Sequence, residues 1–348
     1  MNRKETHYAL ARARATHEMQ LQQPLRLEDD GCALGVAFPV EFLNEASWKK
    51  LQPLSPQLLL SSARAKVIGL KPLHGVSVID ASTLSLQQIN EWAAGNPKSL
   101  PTTTPLASPI FGKELVSMAK QAGIIPALIW VPEAEYFPDA VALEVAALRF
   151  VPPVELIRGE TVSLPVEGDE HATLTSFRTK YDAAVHLVLT LGDVKTKTPP
   201  LVRVHSSCVT GDILGSLRCD CGNQLQAALA QMKKASSGIL LYLHQEGRGI
   251  GISSKLRAYA LQEQGLDTFA ANQQLGFEED ERDFSLAAHI LQMLGLSKIR
   301  LLTNNPDKIE SFTATDITVS ERLPLIADAN AHNHAYITAK GTKAGHLF

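Results

Sequence analysis

Cysteine is scarce in this chain of 348 residues, and three of its four cysteines fall in one short stretch. So few thiols, in a sequence with no sign of secretion, fit a metal site better than a disulfide framework. Charge of one sign is lacking too: the formal net charge is -3 and the pI near 6.4. Without a basic field, a nucleic-acid partner is not expected. No apolar run reaches membrane length, and the start Met1 to His7 has no signal-peptide core, so a soluble, cytoplasmic protein without a membrane partner is expected. The glycine-rich run Gln245 to Gly251 matches neither a Walker loop nor a dinucleotide fingerprint. The length suggests roughly two domains of about 150 residues.

The stretch Arg203 to Gln224 organises the rest. It holds Cys208, Cys219 and Cys221, and the remaining cysteine is Cys32. Soft sulfur suits zinc, and three protein ligands keep a fourth position for water, whereas a structural zinc is usually closed by four. A closed Cys-Cys-Cys-His site completed by His205 or another histidine is the alternative. Upstream, Leu201 to Ser207 alternates as a strand, with Arg203, His205 and Ser207 on one face and Val202 and Val204 on the other. Downstream, Leu225, Ala228, Leu229 and Met232 recur at helical spacing, with Gln224 in the first turn. Gly238 to Leu243 reads as a buried strand running into Gln245 to Gly251, where glycines admit a close phosphate and Arg248 can clamp it.

Ser253 to Gln264 reads as a helix ended by Gly265, with Ile252, Leu256, Tyr259 and Ala260 along one side. The charged turn Gly276 to Asp283 precedes a helix from Phe284 to Leu294, with Asp283 as N-cap and Gly295 as stop. Lys298 to Thr303 is a strand, and Asn304-Asn305-Pro306 opens a helix carrying Lys308, a set suited to a phosphate or base. Ile317 to Arg322 is a last strand, and the tail Asn330 to Phe348 is expected to be mobile. Taken alone, these residues support a zinc hydrolase of a phosphate-bearing ligand.

The first half reads as strands alternating with helices. Helices are expected at Tyr8 to Met19, Phe42 to Leu51, Ser85 to Ala94 and Lys113 to Ala122. Strands are expected at Leu25 to Glu28, Cys32 to Phe38, Leu58 to Leu60, Lys66 to Leu70, Val76 to Ile79 and Ala127 to Val131. Asn96 to Pro109 reads as loop, and Glu28 to Asp30 as a solvated turn. Prolines and acidic residues across Val151 to Glu170 put a domain boundary near residue 165. Ala172 to Phe177 and Val185 to Leu191 follow as strands. The fold class expected is α/β, two domains, each a mixed sheet with helices packed on it.

From about residue 170 onward the chain closely resembles GTP cyclohydrolase II. The resemblance rests on Arg203 to Ser206, the three spaced cysteines, Gln245 to Arg248, Lys255 to Tyr259, Gly265 to Thr268, Leu275 to Asp283, and Leu301 to Pro306 with Lys308. It implies a zinc enzyme, one ion per subunit, that releases formate and pyrophosphate from GTP at the start of riboflavin synthesis. It implies zinc on Cys208, Cys219 and Cys221, and magnesium on the triphosphate. GTP contacts fall on Arg203, Val204, His205, Ser206, Ser207, Gln224, Glu246, Gly247, Arg248, Thr268, Thr303 and Lys308. Asp280 matches the proton acceptor, Arg282 the nucleophile at the α-phosphate, and Tyr259 a tyrosine near the opened ring. A homodimer is the family precedent. Ser207 stands where the family usually has glutamate, and His244 where arginine precedes Gln245. Two alternatives are a related zinc enzyme that stops at a formylated intermediate and a GTP-binding scaffold without turnover.

The order of elements in residues 1–164 resembles 3,4-dihydroxy-2-butanone 4-phosphate synthase, through Leu27 to Gly31, Val76 to Ala81 and Gln121 to Ala127. Its active-site signature is missing: the acidic run after the turn is absent, and Ser108-Pro109-Ile110-Phe111 and Ile129-Trp130 replace the other two motifs. An inactive remnant ahead of a cyclohydrolase domain at 165–348 is the expectation.

Overall fold

The computed structural model describes residues 1–97, 106–132, 137–182 and 184–325. The expected tail lies outside these residues, as does most of the expected loop Asn96 to Pro109. Contacts divide the chain into two units, Met1–Pro153 with Ser253–Glu281, and Val154–Ile252 with Arg282–Phe348. Both are mixed α/β units built on one sheet each.

The first unit holds β1 (Leu25–Asp29), β2 (Cys32–Pro39), β3 (Gln57–Ser61), β4 (Val76–Asp80), β5 (Ala127–Val131) and β6 (Val141–Glu144). They lie in the order β4-β3-β5-β2-β1-β6, antiparallel except for β1 beside β6. Strands β1 and β2 meet at Asp30-Gly31, both at positive φ (46° and 79°), as a two-residue hairpin requires. Asp29 and Asp30 are exposed there, as a solvated turn predicts. The helices α1 (Arg3–Gln20), α2 (Glu45–Leu51), α3 (Ser62–Val67), α4 (Leu86–Ala93), α5 (Gly112–Gln121) and α6 (Val145–Arg149) surround the sheet. Met19, Leu115 and Leu148 bring α1, α5 and α6 onto the face formed by Leu25, Leu27, Leu59, Leu128 and Trp130.

Lys66 to Leu70, expected as a strand, is instead the end of α3 and the turn after it. The Ser61 hydroxyl caps α3 by accepting the Arg64 amide, and Gly69 at φ 76° ends the turn. A local cap therefore outweighs the apolar run Val67-Ile68.

The second unit's sheet runs β13 (Thr318–Leu323), β12 (Lys298–Leu302), β10 (Leu201–Ser206), β11 (Ser237–Leu243), β9 (Val185–Gly192), β8 (Thr173–Thr179), β7 (Leu156–Ser163). Strands β10 to β13 are mutually parallel along this order and β7 to β9 antiparallel. Leu156–Ser163, inside the proline-bearing stretch, is thus an edge strand of this sheet, and the sequence reading missed it. Helix α7 (Cys221–Ala235) packs Ala228 and Met232 on one face, with Leu201, Leu191 and Leu240. Helix α10 (Ser285–Met293) packs Leu286, Ile290 and Leu291 on the other, with Val202, Val204, Ile239 and Leu241. Asp283 is not the N-cap by backbone position, which is Phe284, but its carboxylate accepts the Ser285 amide at 2.8 Å.

The seat of α7 on β11 depends on a missing side chain. A Cβ on Gly238 would come within 2.3 Å of Met232 Cγ and 2.6 Å of its Cβ, so neither can give way easily. Gly238→Ala is expected to destabilise the protein by about 1–3 kcal/mol, as overpacking does. A thermal melt against the unaltered chain measures it.

Candidate active site

Because β10, β11 and β12 are parallel, the loops leaving their C-terminal ends gather at one edge of the sheet. Ligands in α/β sheets bind outside that edge. The three loops are the cysteine loop after Ser206, the glycine run after Leu243 and the Thr303 to Lys308 corner after Leu302.

The sulfurs of Cys208, Cys219 and Cys221 lie within 4.8 Å of one another, and no fourth histidine, cysteine, aspartate or glutamate joins them among the described residues. None of the three is in a disulfide, although Cys208 and Cys219 sulfurs are 3.8 Å apart. The loop turns back on itself through Val209–Ile213, and the Cys208 sulfur accepts the Gly211 amide at 3.3 Å. Two glycines permit the approach. A Cβ on Gly211 would meet the Cys219 sulfur at 2.7 Å, and one on Gly222 the Gly211 carbonyl at 2.3 Å. The hydrogen bond from Cys208, then burial, hold the Cys219 thiol above its ordinary range, against an opposing bond from Cys221. A divalent cation among the sulfurs would reverse that sign, since coordination deprotonates thiols.

His205 does not close the cluster. Its Nε2 lies 3.1 Å from both Asp212 carboxylate oxygens, while Nδ1 is buried without a partner. Asp212 also accepts the Tyr242 hydroxyl and the Cys208 amide, each at 3.0 Å. The alternative of a Cys-Cys-Cys-His site through His205 is therefore not what the geometry supports. Burial lowers the His205 pKa, with the Asp212 hydrogen bond opposing, and burial followed by Asp212 raises that of Tyr242.

A second chain of bonds starts at Arg203. Its guanidinium donates to the Leu302 carbonyl at 3.1 Å and to Gln224 Oε1 at 2.6 Å, and the Gln224 amide donates on to Asp220 at 2.5 Å. Burial pushes the Arg203 pKa down to about 10, with Cys221 and Asp220 opposing, so it stays a cation at neutral pH. Arg203 Nε and the Ser207 hydroxyl are buried without partners, which marks polar capacity left for a ligand.

The other expected residues of this unit fall on the same edge. Glu246 accepts the Val209 amide at 2.7 Å and the Gly247 amide at 2.9 Å, tying the glycine run to the cysteine loop. Gly247 and Arg248 both sit in the left-handed region, φ 63° and 62°. Lys308, 4% exposed, donates to the Val204 carbonyl at 2.6 Å, and the Thr303 hydroxyl accepts the Asn305 amide at 3.0 Å. Arg282 reaches the Ser206 hydroxyl at 3.4 Å and lies 4.8 Å over the Phe284 ring. His244 is exposed, and its amide donates to His186 Nδ1.

Tyr259, Thr268 and Asp280 belong to the first unit, on Ser253–Glu281. Tyr259 lies in α8 (Gly251–Glu263), with Lys255 Nζ 5.9 Å from its ring. The expected apolar side of α8 is not its buried one: Ile252 and Leu256 are exposed, and Ser254, Lys255 and Ala258 are buried. Thr268 opens α9 (Thr268–Gln274), which the sequence reading missed although Asp267 caps it and Gly276 follows it. Asp212, Tyr242, Gly211 and Gly222 were also missed. Lying between the ligands, Thr210-Gly211-Asp212 was the one signal for them.

A model of the GTP cyclohydrolase II family matches residues 158–324. The GTP cyclohydrolase-2 of Azospirillum brasilense is 34% identical over 359 residues, covering 96% of this chain and 93% of its own length. The GTP cyclohydrolase-2 of Escherichia coli is 56% identical over 162 residues, 47% of this chain and 83% of that one. The riboflavin biosynthesis protein RibBA of Bacillus mycoides is 51% identical over 187 residues, 53% of this chain and 47% of that one. The chain belongs to the GTP cyclohydrolase II family, hydrolases of riboflavin biosynthesis.

Two outcomes follow from this geometry. Gly211→Ala is expected to weaken the affinity of the three-sulfur cluster for a metal ion by on the order of 10–100-fold, as changes next to the ligands do, read by chelator competition. Burial first, then His244, hold His186 below the ordinary imidazole value, with Asp182 opposing. A depressed folded pKa means the unfolded chain takes the proton first. Stability should therefore fall as pH drops below about 6.5 toward the folded value. His186→Gln should flatten part of that slope in denaturant unfolding between neutral and mildly acid pH.

Proposed function

We propose that this chain is a zinc-dependent GTP cyclohydrolase II. It would convert GTP to 2,5-diamino-6-(5-phosphoribosylamino)pyrimidin-4(3H)-one with release of formate and pyrophosphate. The observation that carries the reading is the three-sulfur cluster at the carboxyl edge of the parallel strands, in a chain of this family. Zinc suits a donor set of three sulfurs within 4.8 Å of one another. Cys208, Cys219 and Cys221 would hold it, and when bound it supplies the Lewis acidity that makes water a nucleophile near neutral pH.

The chain's own residues would do the rest. Arg203 to Ser207, Gln224, Glu246 to Arg248, Thr268, Thr303 and Lys308 would bind and orient GTP. Water adds at carbon 8 of the guanine and the bond to N9 breaks, leaving a formyl amide. A second water splits that amide into formate and the free amine. Tyr259 stands by the opened ring. At the α-phosphate, Asp280 and Arg282 serve the displacement of pyrophosphate, and magnesium on the triphosphate neutralises the leaving group. An arginine guanidinium keeps its proton at neutral pH. The stacked, hydrogen-bonded setting of Arg282 favours steadying phosphate charge over acting as the nucleophile.

The same reading takes the enzyme as a cytoplasmic homodimer without nucleic-acid or membrane partners. No helix among the described residues is long and apolar enough to cross a membrane. Residues 1–164 are read as a synthase-like region without synthase chemistry. Where that family places a Cys-Glu pair, Ile129 and Trp130 are buried in the sheet, and the Trp130 ring packs against Gly35 and edge-on to Phe111. Neither side chain offers an oxygen ligand for a metal.

The test is product analysis with purified protein, GTP, zinc and magnesium. Formate and pyrophosphate in equal amounts are expected, with Cys219→Ser losing both zinc and formate. GTP bound without turnover would make the chain a scaffold. A formylated product by mass would trace to the pocket changed at Ser207, whose hydroxyl has no partner.

A further inference from the structure

Three of the residues assigned to the reaction, Tyr259, Thr268 and Asp280, sit on Ser253–Glu281, a segment that folds with Met1–Pro153. Each has an anchor to the N-terminal chain close by in sequence. Arg257, two residues before Tyr259, donates to Glu41 at 2.6 Å. At the end of α9, the Gln274 carbonyl accepts Arg64 Nη1 at 3.0 Å, and the Gln274 side chain donates to Asn96 at 2.7 Å and to the Gly95 carbonyl. The Gly276 carbonyl accepts the Ser61 hydroxyl at 2.6 Å. Glu281, next to Asp280, accepts Lys120 Nζ at 2.6 Å.

The packing at Gly276 is as close as the hydrogen bonds are short. Its φ is +88°, and a Cβ there would meet Pro126 Cγ at 2.9 Å and Ser61 Oγ at 3.0 Å. Arg64 is fully buried, and its other donors go to the carbonyls of Glu91, Trp92 and Gly95 at 2.7, 2.7 and 2.6 Å. Those carbonyls close the C-terminal end of α4, where backbone dipoles favour a cation. One guanidinium therefore fixes α4 and α9 together. A buried charge is weak evidence for stability by itself, since hydrocarbon often replaces it without loss. Here its donors set the register of a segment that carries reacting groups.

We propose that the synthase-like region now serves as a cradle for the cyclohydrolase reaction, with Arg64, Ser61, Lys120 and Glu41 as positioning residues. They hold Ser253–Glu281 so that Tyr259, Thr268 and Asp280 are presented correctly. The inference rests on the functional reading above.

The test uses the full-length, zinc-loaded chain. Lys120→Glu is expected to lower kcat for formate release by about tenfold or more, as small misplacements of reacting groups do. Zinc content should be unchanged, and the double variant Lys120→Glu with Glu281→Lys should recover most of the loss. Arg257→Gln, at a more exposed anchor, gives a milder version if Lys120→Glu folds poorly, and should lower kcat about two- to threefold. An unaltered kcat per folded molecule in both variants, with loss only of melting temperature, overturns the cradle and leaves a plain structural role. If the unaltered chain releases no formate, the functional reading itself falls and the cradle with it.

Discussion

Three thiols within 4.8 Å of one another, two of them buried, cannot all carry negative charge without a cation nearby, and much of the second unit is arranged around that constraint. The hydrogen bond from Cys208, then burial, hold the Cys219 thiol above its ordinary range, whereas a bound cation would favour its deprotonated form. The fold holds the sulfurs together by omission as much as by attraction. Gly211 and Gly222 leave out the side chains that would collide with the Cys219 sulfur and with the Gly211 carbonyl. Asp212 binds the loop to β10 and β11 through His205 and Tyr242, whose stacked rings are cross-strand neighbours in the parallel ladder.

The sheet converts that local arrangement into a site. Parallel pairing of β10 with β11 and β12 delivers three loops to one edge, and the alternation of β10 sorts its residues. Val202 and Val204 join the core under α10, while Arg203 and His205 face α7 and the cysteine loop. The Arg203–Gln224–Asp220 chain fixes the amide of Gln224 in one orientation, because its oxygen must accept from the arginine and its nitrogen donate to the carboxylate. The buried Arg203 guanidinium, a cation at neutral pH, favours anionic ligands at this edge.

How much of this was legible in the sequence depended on whether the signal was local. The cysteine spacing, the faces of Leu201 to Ser207 and the helix stripe after Cys221 were readable, because strand and helix periods fix them. Lys66 to Leu70 misled because its apolar residues belong to a short helix fixed by a serine cap. The face of α8 misled because Ile252 and Leu256 obey helical spacing yet remain exposed. Asp212 and Tyr242 were invisible as a pair, being thirty residues apart and joined only by strand register. The grouping of Ser253–Glu281 with the N-terminal chain was equally hidden, because Arg64 and Gln274 carry no sequence mark of each other.

That grouping has a consequence for how the molecule is made. A ribosome releases Met1–Pro153 well before Ser253–Glu281 appears, so the N-terminal body stays unfinished while β7 to β11 are being synthesised. Until then Arg64 lacks the Gln274 carbonyl and Ser61 lacks that of Gly276. Closing so wide a gap adds little entropy for its length, since loop closure grows only logarithmically, but it fixes the order of events. The last pieces to lock into the older half of the chain are the ones that carry Tyr259, Thr268 and Asp280.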